Sequence, residues 1–378
     1  MATIKNGNDV YALAAFDKEA QLQPHTIGRP EPGPYDVAID ILFCGMCHSD
    51  CHACNGDWGI DSWPIAPGHE IAGVVRQVGD QVTQFKVGDK VGVGCMVSSC
   101  RECDLCQQGL EQHCPKMIQT YGSTFPEGQG DNFQNAVGYH TNGGYSSAIT
   151  VNEHFVFHIP PSMKMEYAGV LLCAGITTFS PLNRHILQKG GGAGKTVGVV
   201  GFGGLGQMAV KLAKAMNVDR IVVFSRNNSK KADAEALGAE LLVHSDASAM
   251  DQAARSIDLI LDTVSAPHAI APLMNTLKVG GNYVLLGAVA KPMEVGAFPL
   301  IFSRHSVEGS LIGGTQETQE MLDFCAQHQI VPQYEVIPAK DANAHFHAMI
   351  KGTSGAKRSV IDMSTIAEYC QPVTSASQ

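Results

Sequence analysis

The chain has 378 residues, 44% hydrophobic and 16% charged, a globular composition long enough for two domains with proper cores. Its 26 Lys and Arg against 36 Asp and Glu give a formal net charge of -10. That balance excludes nucleic acid and anionic membrane as main partners, because both need a basic face. No apolar run is long enough to span a bilayer, and the start, MATIKNGNDVYALAAFDKE, lacks the charged-then-apolar order of a signal peptide. A reducing cytoplasmic setting follows, in which twelve cysteines point to metal or catalysis more than to disulfides.

Up to about residue 160, short apolar runs are broken by Gly and Pro. DVAIDILF (36–43), EIAGVVRQVG (70–79) and KVGVGCMV (90–97) predict strands of a compact, strand-rich unit. Within it, CGMCHSDCHAC (44–54) packs four cysteines and two histidines into eleven positions. Spacing alone leaves either Cys pair, 44 and 47 or 51 and 54, open as half of a zinc site. PGHE (67–70) adds His69 and Glu70 at the head of a predicted strand. CRECDLCQQGLEQHC (100–114) brings Cys100, Cys103, Cys106 and Cys114 into one loop, and four thiolates so close can close a tetrahedral zinc shell. Such a shell leaves no room for substrate and is structural; spacing alone leaves an iron–sulfur cluster open. From Thr120 to Tyr145 the chain is polar and Gly-rich and predicts a long irregular loop.

LLCAG (171–175) places Cys173 where the pattern changes. TVGVV (196–200) reads as a buried strand, and Leu205, Ala209, Leu212 and Met216 form one face of a following helix. RIVVF (220–224), DLILDTV (258–264) and NYVLLGAV (282–289) continue as strands alternating with helices, which predicts a doubly wound parallel sheet. A helix over ETQEMLDFCAQH (317–328), strands over YEVIP (334–338) and RSVIDM (358–363), and a frayed last dozen residues complete the order.

GFGGLG (201–206) fits G-x-G-x-x-G, and the flanking strand and helix raise it above an ordinary tight turn. The first glycine permits the turn, the second lets backbone N–H groups approach a pyrophosphate, and the third allows close packing of helix on strand. The end of the second strand selects the cofactor. FSRNNSKK (224–231) holds no acidic residue, and Ser225, Arg226 and Lys230 offer a hydroxyl and two positive charges, so NADP is expected over NAD.

CGMCHSD, PGHE, the four-cysteine lobe, LLCAGITTFSPL (171–182), GFGGLG and GSLIGG (309–314) together resemble the zinc-dependent medium-chain alcohol dehydrogenases. The resemblance runs from about residue 30 to 363 and is nearest to the cinnamyl alcohol dehydrogenase branch with its bacterial aldehyde-reducing members. It implies a GroES-like β-rich catalytic domain over 1–172 and 315–378 and a Rossmann domain over 173–314, with the active cleft between them. It also implies two zinc ions, NADP(H), a small alcohol or aldehyde substrate and a homodimer.

Carried over by position, Cys47, His69 and Cys173 would hold catalytic zinc with Glu70 beside it, leaving Cys44 a neighbour and Cys51 and Cys54 small buried residues. Zinc would polarise the substrate C–O bond for hydride exchange with nicotinamide. Ser49 resembles the hydroxyl relay of the family and His52 its outer acid–base. His48, Thr177, Thr263, Gly287, Ser310 and Ile312 fall where nucleotide contacts lie, together with Gly201, Gly203, Gly204, Leu205 and Gly206. Trp58 and Cys95 are candidate pocket residues. The expected activity is reversible reduction of aldehydes to primary alcohols; secondary-alcohol or polyol oxidation, and a catalytically silent cofactor-binding protein, are the alternatives.

Overall fold

The computed structural model describes residues 8–60, 62–126, 139–289, 291–355 and 357–371. The chain divides into two compact units. One holds Met1–Cys173, Gly313–Ala326 and Val331–Gln378; the other holds Ala174–Ile312 and Gln327–Ile330. Cys173, expected to open the second domain, is the last residue of the first unit's long segment, and its thiol lies against Cys47 and His69 there.

The first unit is built on a seven-stranded sheet. Its order is Tyr334–Pro338, Arg358–Asp362, Asp36–Gly45, Glu70–Val78, Lys90–Val93 and Val156–His158, with Ala148–Asn152 also paired to Asp36–Gly45. All neighbours are antiparallel except Tyr334–Pro338 with Arg358–Asp362. Asp36–Gly45 carries an almost unbroken buried stretch because strands flank it on both sides. Its last residues, Cys44 and Gly45, deliver the chain to Cys47.

The run 90–97, read as one strand, is two: Lys90–Val93 and Met96–Ser98 lie in different sheets. Gly94 passes close under the Leu172 backbone there, and the chain turns at Cys95. The described ends of the 120–145 segment pair with each other, Thr141 N donating to Ser123 O at 2.8 Å and Gly122 N to Thr141 O at 3.0 Å. The centre of that segment, 127–138, and the end of the tail, 372–378, lie outside the described residues. Part of the expected frayed tail is a docked helical turn, Ile366–Cys370, with Ile366 and Cys370 buried.

The second unit is a six-stranded parallel sheet ordered Glu240–Val243, Arg220–Ser225, Thr196–Val200, Ile257–Asp262, Leu277–Leu285, Ser306–Gly309. Numbered within the unit this is 3-2-1-4-5-6, the order of dinucleotide-binding sheets, and its reversal falls between Thr196–Val200 and Ile257–Asp262. The helix after the first strand spans Gly204–Ala215. Its buried surface is wider than the predicted stripe: Met208, Val210 and Ala213 join Ala209 and Leu212, while Leu205 is half-exposed. The helix Ile176–His185 covers a second side of it, a contact that periodicity does not report.

Candidate active site

The first unit brings four of the proposed donors together. One ligand atom each from Cys47, His69, Glu70 and Cys173 lies within 4.8 Å of the others, and all four residues are buried. Cys47 Sγ is 3.8 Å from Cys173 Sγ, and His69 Nε2 is 3.2 Å from Cys173 Sγ. Thiolates about 2.3 Å from a tetrahedral zinc stand about 3.8 Å apart, so the spacing fits that ion. The hydrogen bond between the two thiols lets Cys47 ionise well below the usual thiol range and pushes Cys173 up. One of the pair therefore deprotonates readily, as a metal ligand must.

Three local structures aim these donors. Cys47 immediately precedes the helix His48–Cys54, and its backbone N–H donates to Asp50 Oδ2 at 2.8 Å. Gly68 has φ +104, and a Cβ there would lie 2.5 Å from the Tyr145 ring and 2.8 Å from Cys44 Sγ. Only glycine takes this turn, which presents His69 inward and lets Gly68 N–H reach Asp50 Oδ1 at 3.1 Å. Cys173 sits in a π-helical turn, Leu171–Gly175, between the helices Met165–Val170 and Ile176–His185.

Asp50 is the hub that the sequence reading missed. It is fully buried, takes Tyr145 Oη–H at 3.0 Å, and lies 3.4 Å from His69 Nδ1. It thereby fixes the ring so that Nε2 faces the thiols. Its one sequence signal is a lone acid three positions after Cys47, the spacing of a helix-capping carboxylate. Tyr121 stacks on His69 with ring centroids 5.7 Å apart.

Glu70 is fully buried, and neither carboxylate oxygen has a hydrogen-bond partner among the described residues. Arg358 Nη2 stands 3.1 Å from Oε1, near enough for attraction but out of line for a hydrogen bond. Burial pushes the Glu70 carboxyl up to about 8 despite that guanidinium. An orphaned buried carboxylate beside two thiols and an imidazole is a donor set that fits a divalent cation.

Ser49 Oγ lies 3.5 Å from Cys47 Sγ, and His52 Nδ1 lies 2.8 Å from Asp57 Oδ2. No hydrogen bond joins Ser49 to His52 among the described residues. Trp58, 43% exposed, stacks on His52 at 5.3 Å. His48 is exposed on the same helix. Cys44, Cys51 and Cys54 are buried outside the donor set, and burial pushes all three thiols up. Cys95 is half-buried, its thiol 3.9 Å from Leu172 O.

The second donor set is Cys100, Cys103, Cys106 and Cys114, again within 4.8 Å of one another. Cys100 Sγ is 3.9 Å from Cys106 Sγ and 3.5 Å from Cys114 Sγ. All twelve cysteines are free thiols, and these four fit a closed tetrahedral shell.

In the other unit, Gly201 follows the strand Thr196–Val200 at φ +87, and a Cβ on Gly206 would overlap the Gly201 carbonyl. A Cβ on Gly203 would meet nothing within 4 Å, so that side of the turn is open to a ligand ahead of the helix Gly204–Ala215. Thr263 Oγ1 donates to Val200 O at 2.8 Å, and Gly287 abuts the Val264 carbonyl, which places both beside the turn's strand. Ser225 ends the strand Arg220–Ser225, Arg226 is exposed, and Lys230 Nζ donates to Phe202 O at 3.0 Å. Thr177 is buried in the helix Ile176–His185, and Ser310 and Ile312 follow the edge strand Ser306–Gly309.

The alcohol dehydrogenase GroES-like domain model matches residues 33–161, and the zinc-binding dehydrogenase model matches 204–327. The chain belongs to the zinc-binding alcohol dehydrogenase family, with a GroES-like and a Rossmann-type domain. It is 48% identical over 344 residues to NADP-dependent alcohol dehydrogenase C 1 of Mycolicibacterium smegmatis, covering 90% of this chain and 94% of that protein. It resembles the solved cinnamyl alcohol dehydrogenase SbCAD4 from Sorghum bicolor with TM-score 0.87 and 39% identity, covering 94% and 98% of the two chains. It likewise resembles the CAD from Helicobacter pylori complexed with NADP(H), with TM-score 0.84, 38% identity and the same coverage.

Proposed function

We propose that this chain is an NADP(H)-dependent, zinc-dependent alcohol dehydrogenase acting on primary alcohols and their aldehydes, aromatic or medium-chain. The observation that carries this reading is the buried Cys47–His69–Cys173 set with the orphaned Glu70 carboxylate, gathered from three separated stretches. Catalytic zinc belongs there and a structural zinc at Cys100, Cys103, Cys106 and Cys114. When bound, zinc supplies a Lewis acid that polarises the substrate C–O bond, and nicotinamide supplies the hydride exchange.

The chain's own residues do the rest. Asp50 holds the His69 ring, and Arg358 balances charge beside Glu70. Ser49 passes a proton away from the substrate oxygen in alcohol oxidation and to it in aldehyde reduction. His52, held by Asp57, exchanges it with water. Because Ser49 and His52 do not touch, the path between them needs a bridging hydroxyl or water. The unit holding Met1–Cys173 is then catalytic and carries His48 as a further nucleotide contact, and the Ala174–Ile312 unit binds the nucleotide through its glycine turn and through Thr177, Thr263, Gly287, Ser310 and Ile312. The test is metal analysis with NADPH consumption on benzaldehyde-like aldehydes and ketones, and NADPH formation from NADP+ on polyols. Two zinc ions per chain and fastest turnover of aldehydes are expected; absence of turnover across the aldehydes would sink the proposal.

NADP preference rests on the acid-free end of the second strand, with Ser225, Arg226 and Lys230 around it. Arg226→Asp is expected to lower kcat/KM for NADPH about a hundredfold, through a lost charge-assisted pair and new repulsion, with little change for NADH. A wild type that already favours NADH would overturn the assignment.

The free cysteines fit a cytoplasmic protein, and no helix among the described residues is long and apolar enough to cross a membrane. A homodimer is supported by Phe298, Ile301 and Phe302, which are 73%, 70% and 78% exposed on the helix Ala297–Ser303 that precedes the edge strand Ser306–Gly309. Sedimentation at the mass of a single chain would contradict it.

A further inference from the structure

Among the buried carboxylates outside both donor sets, Glu111 lies against the four-cysteine lobe. Glu111 is 4% exposed, and its oxygens accept three hydrogen bonds: from Thr315 N, Thr315 Oγ1 and His154 Nε2, each at 3.1 Å. Burial works against its charge, and the bonds from His154 and Thr315 outweigh it, holding the carboxyl below its ordinary range. Such a cluster is costly to disturb, because each lost partner leaves a buried charge short of a donor.

The position of Glu111 is set by the four-cysteine lobe. It opens the tight turn Glu111–His113, whose next residue, Cys114, donates its backbone N–H to Glu111 O at 3.0 Å. What Glu111 grips is the start of the helix Thr315–Gln327. The contact is close: a Cβ on Gly314 would overlap the Gly109 carbonyl and lie 2.6 Å from Glu111 Oε2. Gly313 and Gly314 then separate the gripped residue from Ile312 and Ser310. Gly314 is itself wedged against Gly109, so a single glycine, Gly313, stands between the held backbone and Ile312, and the conformational freedom of the preceding segment depends on how firmly that end is held.

We propose that the four-cysteine lobe acts as a clamp on the cofactor-binding segment, with Glu111 as a positioning residue that pins Thr315 and so orders Ser310–Ile312 for the nucleotide. This rests on the reading of Ser310 and Ile312 as nucleotide contacts. It gives the structural metal a functional consequence: loosening the lobe weakens dinucleotide binding without touching the glycine turn.

The test is the Kd for NADPH, from fluorescence titration of the full chain with its metals in place, alongside zinc content. Glu111→Ala is expected to raise Kd about tenfold and Thr315→Val about threefold, with zinc content unchanged. The KM for cofactor should rise by a larger factor than kcat falls, a split that general loss of stability would not produce. Thr315→Val keeps the backbone donor and decides the matter should Glu111→Ala fold poorly. A wild-type Kd in the folded, fully metalated variants overturns the clamp. A wild type that binds no NADPH overturns the proposed function and the clamp with it.

Discussion

Cys47→Ser is expected to lower kcat/KM for aldehyde reduction by about a thousandfold or more, a loss of roughly 4 kcal/mol of transition-state stabilisation. Zinc content should fall by about one ion per chain while NADPH binding persists. The reason lies in the donor set. Of the Cys47–Cys173 pair, Cys47 is the thiol whose ionisation the shared hydrogen bond favours, and its place ahead of the helix His48–Cys54 is fixed by the Asp50 carboxylate. A serine hydroxyl fits that space but stays protonated near neutrality and is a poor partner for a soft cation. With the thiolate gone, His69, Cys173 and Glu70 still lie together, yet two anionic donors become one, and Glu70 tends toward its neutral form because burial already opposes its charge. His69→Ala should act in the same direction. Retained zinc and retained turnover in Cys47→Ser would show that the buried cluster is not the reaction centre.

Spacing alone left the cysteine pairs of 44–54 open, and the donor set came from the family resemblance of three short words: a cysteine before His-Ser-Asp, a histidine after Pro-Gly, and a cysteine between apolar residues; the structure brings these three side chains together. The parallel sheet was legible because its strands read as unbroken β-branched runs. What holds the donors in place was not. Asp50 is one acid among 36 Asp and Glu, and its task depends on Gly68 and Tyr145 arriving beside it. Arg358 lies 288 positions after Glu70 and meets it only because the strand Arg358–Asp362 pairs with Asp36–Gly45, itself paired with Glu70–Val78. The broken strand at 94–95 had the same cause: apolar periodicity carries the local period but not the backbone of Leu172 that crowds Gly94. The helix after the glycine turn buried more than its stripe because a second helix covers it. Local chemistry is written in short words, whereas support is supplied across the fold.

Cys103→Ser is the larger test of stability. The segment 100–114 has little of its own to hold it. Its helix Asp104–Gln107 buries no residue, and of the tight turn at Glu111–His113 only Glu111 and Gln112 are buried. Arg101 and Gly109 sit at φ +58 and +70, so the backbone bends sharply twice within nine residues. Four thiols within 4.8 Å of one another would repel as thiolates without a cation among them. A zinc ion held by these four sulfurs would do in this loop what an apolar core does elsewhere. Loss of one ligand is expected to release about one zinc per chain and to cost about 3 kcal/mol, lowering Tm by roughly 6–12 °C for a unit of this size. Hydrogen exchange should rise across 100–114 and, through Glu111, at the start of the helix Thr315–Gln327, while the sheet Glu240–Val243 to Ser306–Gly309 keeps its protection. A fully metalated Cys103→Ser with wild-type Tm would mean that the lobe is stabilised by something other than its four sulfurs.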